Sequence, residues 1–290
     1  MEMRAITQSE MVTRAKCEQL HKFKYIERLR PRLISLNLGV GSAVHCGLEL
    51  KDPIAAAKHL RDHAENTLSK EEADSIELWS GIVEAMVQGA LRFWTEWPKA
   101  SEVEFSLALR NPETGRQSRI HTYAGKMDGL SDDEVHEYKT SSRLDSNYID
   151  RLDVDFQVSA MLEAASIILK KPIRRVRYRI LRKPSIKQRK DETLSEYLER
   201  LNKDYESRPE FYFHEEVITR TESQMKLWRR EAWEIHKRIS RVESGGLAVR
   251  NTESCVGRFG RCSFLDLCCG AVTRDAYRVI DDPHPELGAN

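Results

Sequence analysis

Gly125-Lys126-Met127-Asp128-Gly129-Leu130, then Ser131-Asp132-Asp133, then Glu134-Val135-His136-Glu137-Tyr138-Lys139-Thr140: this stretch decides the fold. Extended structure runs to about Leu130, the acidic triplet turns the chain, and a strand follows in which Val135, Glu137 and Lys139 share a face. Asp128 at the end of one strand and Glu137 on the next can therefore meet at one point. Two such carboxylates suit a hard divalent cation, with the Tyr138 carbonyl as a further oxygen ligand. Lys139 projects from the face of Glu137, where its ammonium can orient a water or offset developing negative charge. An exposed Glu137–Lys139 salt bridge is the plain alternative.

Working outward, Val103–Leu109 alternates as a strand, Asn111–Gly115 is a turn, and the two together make a hairpin with the Asp128 strand. Upstream, the spacing predicts a polar, basic helix from about Ser9 to Leu29. A turn at Gly39-Val40-Gly41-Ser42 then opens a helix that carries His45 and Glu49 on one side. Two or three helices fill Pro53 to Trp97, and Pro98 ends them.

Downstream, Asp153–Leu169 reads as a helix stopped by Lys171-Pro172. Arg174–Leu181 then alternates strictly, with Arg175, Arg177 and Arg179 on one face and Val176, Tyr178 and Ile180 on the other. A helix near Leu194–Leu201, a strand near Phe211–Ile218 and a long helix over Glu222–Val242 come next, followed by a Cys-rich segment. The order is αβββαβ, an α/β class with a mixed sheet. One domain over 1–290 is expected: a catalytic core at 101–185, a helical insertion at 51–100, and segments 1–50 and 245–275 packed on it.

The chain has 290 residues, 40% hydrophobic and 32% charged, with a formal net charge of +1. Neither a membrane span nor a signal peptide is legible, so the expected location is the cytoplasm. Charge is unevenly spread: Lys170 to Lys190 holds eleven Lys or Arg and no acid. A solvated face and a nucleic-acid contact through Arg175, Arg177, Arg179, Arg182 and Lys183 both fit that run. The tryptophans at 79, 94, 97, 228 and 233 sit at helical spacing, which favours core over base stacking.

Gly41–Glu49, with its G-x-x-x-H pattern ending at His45, Gly125–Leu130 around Asp128, Glu137-Tyr138-Lys139, and Phe156–Met161 with Gln157 stand in an order that resembles the PD-(D/E)xK nuclease superfamily, in particular its RecB-like branch of CRISPR-associated and AddB-type iron-sulfur exonucleases. Met127 stands where the name-giving proline would be. The resemblance implies a restriction-endonuclease-like core and a Mg²⁺- or Mn²⁺-dependent DNA exonuclease. It implies metal ligands at His45, Asp128 and Glu137, a supporting role for Gln157, and DNA with free ends or a single strand as substrate. Glu104 is a further acid near the site.

Cysteines lie at 17, 46, 255, 262, 268 and 269. Four thiolates suit an iron-sulfur cluster or Zn²⁺. The resemblance implies a [4Fe-4S] cluster on Cys17, Cys255, Cys262 and Cys268, with Cys269 an alternative to Cys268 and Cys46 a packed small residue. Two other functions remain open: a non-cleaving subunit of a recombination or helicase–nuclease assembly, and a zinc-stabilised interaction module. An intact Asp128, Glu137 and Lys139 set argues against the first.

Overall fold

The computed structural model describes residues 3–33, 36–64, 70–257 and 260–287. The chain opens with strand β1 (Arg4–Thr7), helices α1 (Gln8–Lys16) and α2 (Glu18–His21), a π-helical turn at Lys22–Ile26, and strand β2 (Leu29–Pro31). Helices α3 (Leu36–Leu50), α4 (Pro53–Ala64), α5 (Lys70–Ala73) and α6 (Ile76–Phe93) lead to strands β3 (Ala100–Arg110), β4 (Gln117–Leu130) and β5 (Val135–Ser141). Then come α7 (Ser146–Asp150), α8 (Phe156–Ile168), β6 (Arg175–Arg182), α9 (Leu194–Ser207), α10 (Pro209–Tyr212), β7 (Phe213–Thr219) and α11 (Glu222–Glu243). The Cys-rich end carries β8 (Val256–Gly257), β9 (Gly260–Arg261), α12 (Leu265–Cys268) and β10 (Tyr277–Val279).

The main sheet is mixed, in the order β1-β4-β5-β6-β7, with β3 also paired to β4. β5 and β6 are parallel, because α8 carries the chain back over the sheet between them. β3 occupies one edge of β4 along its length, so β1 and β5 must share the other. β1 takes His121–Ala124 in parallel, and β5 takes only Gly129 and Leu130, antiparallel. Between these pairings β4 and β5 part, and Asp128 stands in the opening.

Alternation sorts the side chains into two cores. Val135, Val176, Tyr178 and Ile180 pack with α8 and α11, including Val158, Met161 and Trp228. Tyr138, Leu181 and Phe213 face α3, α4, α6 and α9 on the other side. Helices thus cover both faces. The sheet also draws on Arg4–Thr7 and Phe213–Thr219, both outside the 101–185 stretch expected to hold the core.

The expected single helix over Ser9–Leu29 is broken. Thr7 caps α1 by accepting the Glu10 N–H, and Cys17 ends it in an extended conformation (φ −164°, ψ 123°). The break follows from what lies beneath α1. Glu10 is fully buried and pairs with Arg4 (2.8 Å), His21 (2.7 Å) and His284 (2.9 Å), which fastens the beginning and end of the chain together. Burial alone would raise the Glu10 pKa, but His21, His284 and Arg4 together drive it far below its ordinary 4.5. Glu10→Gln should lower stability by about 3–5 kcal/mol in urea unfolding, as breaking a buried pair does. A carboxylate with a depressed pKa stabilises the fold above its unfolded-state value. The gap between wild type and variant should therefore be full at neutral pH and shrink as pH falls below about 4.

Candidate active site

The opening between β4 and β5 gathers the charged groups. The Tyr138 N–H, left without a ladder partner on β4, donates to Asp128 Oδ2 at 2.7 Å. Asp128 Oδ1 lies 3.2 Å from His45 Nδ1. α3 can bring His45 this close because it packs tightly on its neighbours: a Cβ on Gly47 would sit 2.5 Å from that of Ala56. Glu137 Oε1 pairs with Lys139 Nζ and accepts from Gln157 Nε2 at 2.8 Å. Gln157 is held in the first turn of α8 by the Asp155 cap, which accepts its N–H at 2.7 Å. The second Glu137 oxygen, Oε2, is buried with no hydrogen-bond partner among the described residues.

Electrostatics divide the two acids. Burial opposes ionisation of Asp128, but His45, Lys139 and the Tyr138 N–H together hold its pKa below the usual value. Glu137 is pushed up to about 7, first by desolvation and then by Asp128, against the pull of Lys139. Burial works against protonation of Lys139 and of His45 too, yet the neighbouring carboxylates raise both. The result is a desolvated corner where two carboxylates compete for Lys139 and His45 and one acceptor oxygen is left over, a position a divalent cation can take.

Glu102 completes it. Its ligand atom, with those of His45 and Asp128, falls in a group whose members are all within 4.8 Å of one another. Its backbone is left-handed (φ +51°) near the start of β3, where the β3–β4 ladder skips the Glu102–Asp128 pair. Non-glycine residues held there are strained, and such strain concentrates at functional sites. Glu102 pairs with Lys126 at 2.5 Å. Sequence reading named Glu104 instead; that residue is exposed and stands opposite Lys126 in the ladder. No local residue pattern marks a glutamate for left-handed backbone, so Glu102 was not legible. Cavities of about 390 and 240 Å³ flank the group, and His45, Glu102 and Asp128 line both.

A family model described as "PD-(D/E)XK nuclease superfamily" matches residues 5–269. The chain belongs to the PD-(D/E)XK nuclease superfamily. The solved structure of a protein named putative exonuclease, from Eubacterium rectale, shares its fold at a TM-score of 0.55 and 14% identity, covering 99% of this chain and 93% of that one. No curated protein matches the chain. Within this nuclease superfamily member, Asp128, Glu137, Lys139, Gln157 and His45 are brought together, and the Tyr138 carbonyl faces the same opening as its N–H, since both groups of a strand residue project to one side.

The arginine strand is placed elsewhere. Register sets Arg177 beside His136 and Arg179 beside Tyr138, the face opposite Glu137 and Lys139. Arg175 pairs with Asp133 (2.5 Å), and Arg177 with Glu134 and Glu215 (both 2.7 Å). Arg179, 2% exposed, pairs with Glu215 at 2.7 Å, donates to the Glu96 carbonyl at 2.6 Å and lies over Trp94. Arg182 stacks 4.1 Å from the Phe211 ring centroid. The face expected to guide phosphates, Arg175, Arg177 and Arg179, is instead met by acids from β7 and from the turn before β5, distant in sequence. Lys183 is buried beside a separate cavity and donates to Asn37 Oδ1 at 2.7 Å.

The cysteine-bearing segments are neighbours, but among the described residues their sulfurs do not form a close ligand group like that of His45, Glu102 and Asp128. Asn251 donates its N–H to Cys17 Sγ at 3.4 Å and its side-chain amide to the Lys16 carbonyl at 2.9 Å, which seats Cys17 against the C-terminal segment. Between Cys255 and Cys262, β8 pairs antiparallel with β9, and the Cys262 N–H donates to the Cys255 carbonyl at 2.8 Å. Partial desolvation, then the thiols of Cys262, Cys268, Cys17 and Cys269, raise the pKa of Cys255. Cys262 and Cys268 also pack on a small apolar cluster of Phe23, Leu29 and Phe264.

Arg179→Met should lower stability by about 1–3 kcal/mol, because the Glu96 carbonyl loses its donor and Glu215 keeps only Arg177. The salt dependence of DNA binding should stay unchanged. Urea unfolding and fluorescence anisotropy across a salt series read the two effects; a flattened salt slope would return Arg179 to the DNA surface.

Proposed function

We propose that this chain is a metal-dependent DNA nuclease, an exonuclease of the RecB-like iron-sulfur branch that hydrolyses phosphodiester bonds in DNA processing, recombination or repair. The observation that carries the reading is the orphaned Glu137 Oε2 beside a depressed Asp128 and a raised His45. A buried carboxylate oxygen without a donor is costly unless a cation completes it.

Asp128, Glu137, His45 and the Tyr138 carbonyl would hold Mg²⁺ or Mn²⁺, with Glu102 as an added oxygen donor once it leaves Lys126. When bound, such an ion supplies charge neutralisation of the phosphate and a lowered pKa for the attacking water. The chain's own residues do the rest. Lys139, fixed by Glu137, presents an ammonium that orients the water and meets the developing charge. Gln157 holds Glu137 in place, and the Asp155 cap holds Gln157. A recessed site flanked by cavities favours a strand end, single-stranded or frayed, over an internal bond in a straight duplex.

The thiols of residues 17, 262, 268 and 269 act on the charge of Cys255, and four thiolates suit a [4Fe-4S] centre by donor chemistry once their segments close on it. Such a centre would staple segments 1–50 and 245–275 onto the core and act structurally. Zn²⁺ is the alternative occupant of the same thiols.

Linear DNA should be degraded in Mg²⁺ or Mn²⁺, and Asp128→Asn or Lys139→Ala should slow this by about 10²–10³-fold or more. Intact DNA in both metals, or variants that cut like wild type, would defeat the nuclease reading. Mn²⁺ should also raise the melting temperature of wild type, since an ion bound to the native state stabilises it, and Asp128→Asn should remove that rise. Protein purified without oxygen should be brown and contain iron and sulfide. Cys17→Ala and Cys255→Ala should bleach it and lower its melting temperature, whereas a colourless, zinc-loaded sample would replace the cluster by zinc.

A further inference from the structure

Beyond the end of β5 lies a cavity of about 700 Å³, bordered by Asn37, Thr140, Arg143, Tyr148, Arg151 and Lys183. Two of its cations, Lys183 and Arg151, lack a counter-charge among the described residues. Lys183 is only 9% exposed; its ammonium meets Asn37 Oδ1 and stands 5.4 Å from the Trp79 ring centroid. Among the described residues no carboxylate lies within ion-pair distance of it. Arg14 and Arg179, buried as deeply, each hold a glutamate. Desolvation, with nothing opposing it, lowers the Lys183 pKa. Arg151 is exposed, lies 5.6 Å from the Tyr148 ring centroid, and likewise has no carboxylate in ion-pair range among the described residues. The one acid on the wall, Asp145, is engaged: it caps α7 through the Tyr148 N–H at 3.0 Å and pairs with Arg143 at 2.5 Å.

The cavity adjoins the proposed reaction centre. Thr140, Ser141 and Ser142, on its wall, directly follow Lys139. Tyr148 is near enough to Lys139 for the charge of each to act on the other. A concave, polar space of this volume has the size of a small-ligand pocket, enough for a nucleotide or two but not for a duplex. An unpaired buried ammonium is costly, and an anion is what removes the cost.

We propose that this cavity is a nucleotide subsite for a single DNA strand: Lys183 and Arg151 hold a backbone phosphate next to the one being cut, and the Tyr148 ring stacks on a base. The proposal rests on the nuclease reading above and adds to it a single-stranded substrate and a direction for the strand, along β5 and past the N-terminal end of α3. The basic run at Lys170–Lys190 then contributes its one buried, unneutralised lysine, while its arginine face builds the sheet.

The test is anisotropy of a short fluorescein-labelled oligothymidylate on the full-length protein with Ca²⁺ across a salt series. Lys183→Met and Arg151→Ala should each weaken binding at least about tenfold. Each should also lower the slope of log affinity against log salt by about 0.7, the single-strand value per phosphate contact. Lys183→Arg should bind like wild type, and Tyr148→Ala should lose more affinity than Tyr148→Phe. Thermal unfolding should find Lys183→Met at least as stable as wild type, because an unpaired buried charge has gone. A melting temperature clearly below wild type would make Lys183 a structural residue and overturn the subsite. So would a wild-type slope in Arg151→Ala, an equal loss on a blunt hairpin duplex, or wild-type protein that does not bind the strand. Wild type that binds with this Lys183 dependence yet never cuts in Mg²⁺ or Mn²⁺ would sink the nuclease reading and leave the subsite standing.

Discussion

Everything at the site depends on β4 having two partners on one edge. β1 holds residues 121–124 of that edge and β5 only 129–130, so the ladder lapses where Asp128 stands. Buried backbone donors do not go unpaired at little cost, and the Tyr138 N–H finds the Asp128 carboxylate in place of a carbonyl. A side chain thus does the work of a strand, and its second oxygen is left facing His45. Across β4, the matching lapse in the β3 ladder and the left-handed turn of Glu102 bring a third ligand group to the same place. Two irregularities, one on each edge of β4, create a concave acidic corner in what would otherwise be continuous sheet.

Charge is buried on both faces of β5 and β6, and with opposite outcomes. On the face of Arg177 and Arg179 each cation has acids in good geometry, and the network closes on itself. Such a network fixes packing and offers nothing to a ligand. On the face of Glu137 and Lys139 the closure is incomplete: Gln157 and Lys139 both go to Oε1, and Oε2 has no donor. Buried ion pairs are weak evidence for stability but strong evidence for constraint. Here the location of the unsatisfied group separates a structural cluster from a chemical one.

Much of this was legible in the chain because it is local. Alternation in Val135–Lys139 and Arg175–Ile180 gave the strands, and Gly and Pro placed their ends. The long helix read over Glu222–Val242 differs from the observed Glu222–Glu243 by a single residue. What was missed depends on distant partners. Arg4–Thr7 is too short to announce itself, and it is a strand only because His121–Ala124 receives it. The helix read through Cys17 breaks because Glu10 must reach His21 and His284, and the latter lies at the far end of the sequence. The arginine face was read correctly as a face. Its neutralisation by Glu134 and Glu215 was invisible, since strand order sets which acids arrive opposite.

The ends of the chain are therefore part of the site rather than attachments to it. Thr7, Gln8 and Ser9, where α1 begins, line the cavity at His45 and Asp128, and so does Leu287. The same helix ends at Cys17, one of the candidate cluster ligands, and the tail reaches Leu287 by way of β10 paired to β2 and His284 paired to Glu10. α1 is nine residues long and rigid over that length, so the wall of the active-site cavity and the seat of Cys17 move as one body. A centre that locks Cys17 to Cys255, Cys262 and Cys268 closes a very long loop, and the constraint acts through α1 on the cavity wall. If a cluster binds there as proposed, it would act on the cavity by fixing where this wall stands, and it would need no electron transfer to do so.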